Sequence, residues 1–155
     1  MSYFEWKPEM SVGLTRLDDD HKGLIAIINR LAGSLGGDDL NTGVQQALTA
    51  LLRYTEQHFS REEAVLRIVD YSALKQHREE HKRFVRELQE LRADFVTLQD
   101  TEQREKLLTF LKDWLTHHIL IEDMAYKDRV AGDKAARKAA EEFSTNDLWT
   151  ARLAG

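Results

Sequence analysis

Apolar positions recur every three or four residues in four long runs, the period of a helix with one face turned to a core. After an irregular arm with the only proline, Pro8, the first run predicts a helix from near Asp18. Its stripe is His21, Leu24, Ile28, Leu31 and Leu35; Asp18 to Asp20 suit its positive end and Gly36-Gly37 stop it. A second helix is expected over about 41–68, with Val44, Leu48, Leu51, Thr55, His58, Glu62 and Val65 on one face. A third, over about 71–97, aligns Leu74, His77, His81, Phe84, Leu88, Leu91 and Phe95. The fourth runs from Thr101 to about Arg129 through Leu107, Leu111, Trp114, His118 and Ala125. Thr101 with Arg104 falls short of a capping box. Four such helices with short connections predict an all-α, antiparallel up-down-up-down bundle.

Beyond Gly132 the pattern weakens. Residues 133–143 are rich in alanine, lysine and glutamate and predict a short helix with a thin apolar face, ended by Ser144-Thr145-Asn146-Asp147. Leu148, Trp149 and Leu153 would cover a bundle groove or meet a protein partner. The division expected is residues 1–130 as the bundle domain and 131–155 as a C-terminal extension. The run Arg78-Glu79-Glu80 reads as the solvated back of the third helix.

Composition narrows the function classes. With 155 residues, 42% hydrophobic and 32% charged, the chain fits one ordinary globular domain. A net charge of -5 gives no broad basic footprint for nucleic acid. The absence of cysteine removes disulfide and thiolate chemistry. Met1 to Lys7 lacks the basic and apolar regions of a secretory signal, and no later apolar run approaches the roughly 18 residues of a membrane span. A soluble, cytoplasmic protein with no membrane partner is expected.

The chemistry lies in histidines set into the apolar stripes. Residues four apart share a helix face, so His58 with Glu62, and His77 with His81, can each point at one centre. Imidazole and carboxylate donors suit iron or zinc. One histidine on an apolar face is ordinarily a hydrogen-bonded core residue, but four helices each contribute here. In the fourth, geometry leaves a choice: on a regular helix Glu122 lies about 40° around from His118 and Asp123 about 140° away. His117 with Glu122 repeats the spacing of His118 with Asp123, one residue earlier.

In order along the chain, these motifs resemble those of hemerythrins, specifically the single-domain bacterial ones. The resemblance covers roughly Trp6 to Arg129 and rests on four segments. They are Gly13 to Asp20 with His21-Lys22, His58-Phe59-x2-Glu62-Glu63, His77-x3-His81-x2-Phe84 and Trp114-Leu115-x2-His118-Ile119-x3-Asp123. Two departures stand out: Tyr71-Ser72 where many relatives have Tyr-Pro, and Asp20 where glutamine is frequent.

The resemblance implies two non-haem iron ions with an oxo or hydroxo bridge. His77, His81 and His118 would hold one iron, His21 and His58 the other, and Glu62 and Asp123 would bridge them. It favours Asp123 over Glu122 and leaves His117 at the surface. It further implies reversible dioxygen binding, for storage, delivery or sensing, with the open coordination position on the His21 and His58 side. The enzymatic alternative is a hemerythrin-like diiron peroxidase or oxidase. A ferritin-like site is disfavoured because the chain has no Glu-x2-His pair.

Overall fold

A computed structural model describes residues 3–34, 40–98 and 101–143. A single 3-10 turn, Pro8–Met10, leads into α1 (Thr15–Ser34), α2 (Leu40–Ile68), α3 (Leu74–Leu98) and α4 (Thr101–His117). A π-helical turn, His118–Asp123, and a 3-10 turn, Met124–Tyr126, continue α4 into a short α5 (Lys127–Val130); α6 (Lys134–Glu142) follows. Contacts run from α1 to α2, α2 to α3, α3 to α4 and α4 back to α1, closing the four long helices into the expected bundle. No described helix is long and apolar enough to cross a membrane.

The predicted stripes form the core, except that Ala125 of the fourth is exposed and Tyr126 is buried in its place. Leu24, Ile28, Leu31, Val44, Leu48, Leu51, Phe84, Leu88, Leu107 and Leu111 are buried in one cluster along the bundle axis. A second cluster joins Leu14, Leu17, Val65, Leu66, Val69, Tyr126 and Val130 to Ala136 and Ala140 of α6. The buried ligand-type residues lie on these same helix faces.

Three boundaries differ from the periodicity for identifiable reasons. α1 begins at Thr15 rather than near Asp18: the Asp18 carboxylate accepts from Val12 N at 2.9 Å and Ser11 Oγ at 2.5 Å, tying the arm to the helix's first turn. α3 begins at Leu74 rather than Tyr71 because the preceding residues finish α2. Asp70 sits at φ 52°, Asp70 N bonds Arg67 O, and Tyr71 N bonds Leu66 O, the paired bonds of a left-handed helix stop. The fourth helix is not a regular α-helix to Arg129; its hydrogen-bond register changes at His118.

The extension's helix forms, with Asp133 capping it by accepting from Ala136 N at 2.8 Å. Its thin apolar face is enough because Ala136 and Ala140, both buried, let α6 lie close on α2 and α1. Arg78 is not simply solvated, since its Nε lies 2.9 Å from Glu63. Leu35, Gly36-Gly37, residues 144–147, Leu148, Trp149 and Leu153 lie outside the described residues, as does the side chain of Phe95.

Gly13 joins the arm to the C-terminal turn at φ 82°, where a Cβ would stand 2.6 Å from Ala131 Cβ. Gly13→Ala combines an unfavourable left-handed backbone, about 1–2 kcal/mol, with overpacking against α5's end. A loss of roughly 2 kcal/mol or more is expected in denaturant unfolding of the metal-free protein. An unchanged midpoint would remove this contact from the ledger of the fold.

Candidate metal centre

The site is built where the four stripes meet. His21 comes from α1, His58 and Glu62 from α2, His77 and His81 from α3, and His118 and Asp123 from the two ends of the π-helical turn. All seven are buried, none more than 3% exposed.

The two carboxylates are split between two groups of imidazoles. Glu62 Oε1 faces His77, His81 at 3.0 Å and His118 at 3.6 Å. Its Oε2 faces His58 at 3.4 Å and His21 at 3.7 Å. Asp123 divides the same way: Oδ1 is 3.2 Å from His77 and 3.1 Å from His118, while Oδ2 is 2.9 Å from His21. Two compact donor sets result, Glu62, His77, His81 and His118 on one side and His21, His58, Glu62 and Asp123 on the other. In each set the donor atoms lie within 4.8 Å of one another.

The π-helical turn places Asp123, rather than Glu122, on the inward side with His118. A π turn closes on the fifth residue rather than the fourth, as Met124 N does on Ile119 O. Residues five apart are thereby brought towards one direction, and His118 and Asp123 both turn inward. His117 and Glu122 are left on the outside, 3.4 Å apart as a surface pair. Regular α geometry fails here because the helix is not regular.

Several contacts hold the inner residues in place. Phe59 stacks on His81 at 3.7 Å with a 2° interplanar angle, and Trp114 stacks on His118 at 4.4 Å. His81 Nδ1 lies 3.3 Å from Glu63, and His58 Nδ1 lies 3.0 Å from Asp20. A carboxylate accepting from the outer nitrogen fixes a histidine's tautomer and leaves the Nε2 lone pair free for a metal. Tyr126 OH donates to Glu62 Oε2 at 3.0 Å. Periodicity had no signal for Tyr126, which belongs to the 3-10 turn after the π segment; its only sequence cue is an aromatic three residues past Asp123.

Burial and charge set the protonation. Burial opposes charge on His21 and His77, but the surrounding Asp123 and Glu62 carboxylates outweigh it and push both up to about 10. Burial likewise opposes ionisation of Glu62, yet His77 and the other imidazoles hold it well below the usual carboxylate range. His118 is lowered by burial, with His81 adding to the effect against Asp123 and Glu62. Burial and then the two carboxylates raise Tyr126 well above the ordinary phenol value, so it remains a donor.

Stability of the metal-free protein follows from these shifts. The raised imidazoles contribute stability that is complete below 6.5 and is lost as pH rises through about 10. Glu62 and Asp123, both lowered, contribute stability above about 4.5 that is lost on acidification. Chelator-treated protein should therefore have its highest unfolding midpoint between these limits and decline towards pH 10. A flat profile from pH 6 to 10 would contradict the raised imidazoles.

Whether these residues fit metal ions is answered by their unsatisfied atoms. His21 Nε2, His58 Nε2 and both Asp123 oxygens are buried with no hydrogen-bond partner, although each lies near the centre of the cluster. Buried polar atoms left unpaired are costly, and these converge without hydrogen-bond geometry, as donors around a cation do. The residues fit a pair of ions in nitrogen and oxygen shells.

Residues 12–130 match the family described as the hemerythrin HHE cation binding domain. The chain belongs to the hemerythrin family. It is 35% identical over 126 residues to a hemerythrin-like protein of Naegleria gruberi, covering 81% of this chain and 92% of that one. It is 28% identical over 130 residues to a bacteriohemerythrin of Pseudomonas aeruginosa strain LESB58, covering 84% and 83% of the two chains. A bacteriohemerythrin of Clostridium acetobutylicum is also 28% identical, over 81% of this chain and 99% of its own. The crystal structure of a wild-type hemerythrin superposes with a TM-score of 0.75 at 23% identity, covering 84% of this chain and all of that one. That likeness is one of fold. The hemerythrin match ends at Val130, so α6 lies beyond it.

Proposed function

We propose that the chain binds dioxygen reversibly at a non-haem diiron centre. The observation that carries this reading is the division of the two carboxylates: Glu62 turns one oxygen to His77, His81 and His118 and the other to His58 and His21, and Asp123 turns one to His77 and His118 and the other to His21. His77, His81 and His118 are assigned to one iron, His21 and His58 to the second, and the two carboxylates to both. Iron bound by these residues would supply the electrons for reversible dioxygen binding.

The protein's own part is to bind, to orient and to keep the site dry. The side with two imidazoles is a donor short of the other, so a small ligand is best accommodated there. Phe59 and Trp114 wall the three-histidine side and also line a small apolar cavity of about 10 Å³ with Leu24, Ile28, Leu51 and Phe84. Such walls keep water and ions from the three-histidine side. Tyr126, kept protonated, donates to Glu62 Oε2 and holds that carboxylate in its orientation between the two donor sets.

Residues 1–130 are proposed as the diiron domain and 131–155 as an extension available to a protein partner. A cytoplasmic setting completes the proposal. The test is a gas cycle: protein loaded anaerobically with ferrous iron is exposed to dioxygen, then degassed, with iron valence and released peroxide followed. Return to the diferrous state without net peroxide release is the expected result. Sustained turnover with an electron donor would replace the carrier with a peroxidase or oxidase.

A further inference from the structure

His58 addresses the site through Nε2, and its outer nitrogen is held by a buried ion pair. Asp20 Oδ2 lies 3.0 Å from His58 Nδ1, and Arg61 Nη1 donates to both Asp20 oxygens at 2.6 Å. Asp20 and Arg61 are only 3% and 7% exposed. Arg16 also approaches Asp20, at 4.0 Å, but it is half-exposed and water screens it. The Arg61 guanidinium lies 5.5 Å from the ring of Phe143, the residue that ends α6. Helix α6 packs chiefly on α2, which carries His58, Arg61 and Glu62.

We infer that the C-terminal extension is a positioning element for the two-histidine side of the centre: Phe143 covers Arg61, Arg61 fixes Asp20, and Asp20 orients His58. The physical basis is a graded push on one imidazole. An anionic partner on Nδ1 strengthens the donor character of Nε2, and such outer partners typically matter about 10–100-fold in metal affinity. A guanidinium sharing that carboxylate draws part of its charge away, so Arg61 moderates the push. The Phe143 ring keeps water from the guanidinium and meets it with its negative face. Among the described residues the outer nitrogens of His21 and His118 have no hydrogen-bond partner, and the Glu63 carboxylate behind His81 is backed by Arg78, which is half-exposed. Among the described residues, only His58 is linked in this way to the extension.

This inference rests on the diiron reading, and the experiment separates the two. Full-length apoprotein and its Phe143→Ala, Phe143→Tyr, Arg61→Gln and Asp20→Asn variants are titrated with cobalt(II), resolving two binding steps. Histidine nitrogen NMR follows His58. Phe143→Ala and Arg61→Gln should each change the affinity of one metal several-fold, Asp20→Asn about 10–100-fold. The other metal should be unaffected, the His58 signal should move in these three, and Phe143→Tyr should behave as the wild type. Wild-type values in Phe143→Ala, while Asp20→Asn moves them, would remove the extension from the relay. Equal weakening of both metals with falling thermal stability would make the contact merely structural and overturn the inference. A wild-type chain that takes up fewer than two cobalt ions would fail the diiron reading itself.

Discussion

Asp123→Ala should lose the metal pair, whereas Glu122→Ala, one residue away, should keep it. Asp123 is fully buried and places one oxygen 2.9 Å from His21 and the other 3.1 Å from His118, so its loss strips both sides at once. It also removes negative charge from a buried site where two cations would otherwise lack compensation. The drop in ferrous affinity should exceed the roughly 10–100-fold range usual for an outer-shell partner. Glu122 pairs with His117 at the surface, and removing either should change affinity by less than about threefold, as suits an exposed pair. Iron titration of the four single variants, His117→Ala and His118→Ala included, reads the register directly. Retention of the pair in Asp123→Ala with loss in Glu122→Ala would show that the helix is regular in solution.

Glu62→Gln should be as damaging, though it changes almost no volume. The amide oxygen can still accept from Tyr126, but the amide nitrogen has no lone pair to offer a metal, so only one side keeps its oxygen. Glu62 is also the main positive influence on His77 and a partner of His21. In the metal-free variant both imidazoles should titrate lower than in the wild type. Glu63→Gln provides the contrast, because Glu63 meets His81 at its outer nitrogen, at 3.3 Å, and its other oxygen pairs with Arg78. Calorimetric titration should show fewer than two ions bound to Glu62→Gln but two, more weakly held, by Glu63→Gln. Two tightly bound ions in Glu62→Gln would contradict its place between them.

Much of the bundle is legible in the sequence because its cause is local and repetitive. An apolar residue every three or four positions specifies a buried face whatever the neighbours are, and His58, Glu62, His77 and His81 interrupt those faces at helical spacing. What periodicity misreads has a different origin. The π-helical turn at His118–Asp123 departs from the very period being counted, so the inward aspartate looks misplaced by about 100° until the register change is known. Only the resemblance pointed to it. Tyr126 and Arg61 were not apparent because their partners, Glu62 and Asp20, are 64 and 41 residues away. The packing of α6 was similarly understated: two buried alanines are a weak signal in sequence but allow close approach in the fold.

Iron content and location, measured together, bear most directly on the centre. Protein loaded anaerobically with ferrous iron, crystallised and examined by diffraction on either side of the iron absorption edge should show two anomalous peaks per chain. One should lie among His77, His81 and His118, the other beside His21 and His58, with Glu62 and Asp123 between them. A single peak, a zinc signal in its place, or a metal bound through Glu122 would contradict that arrangement.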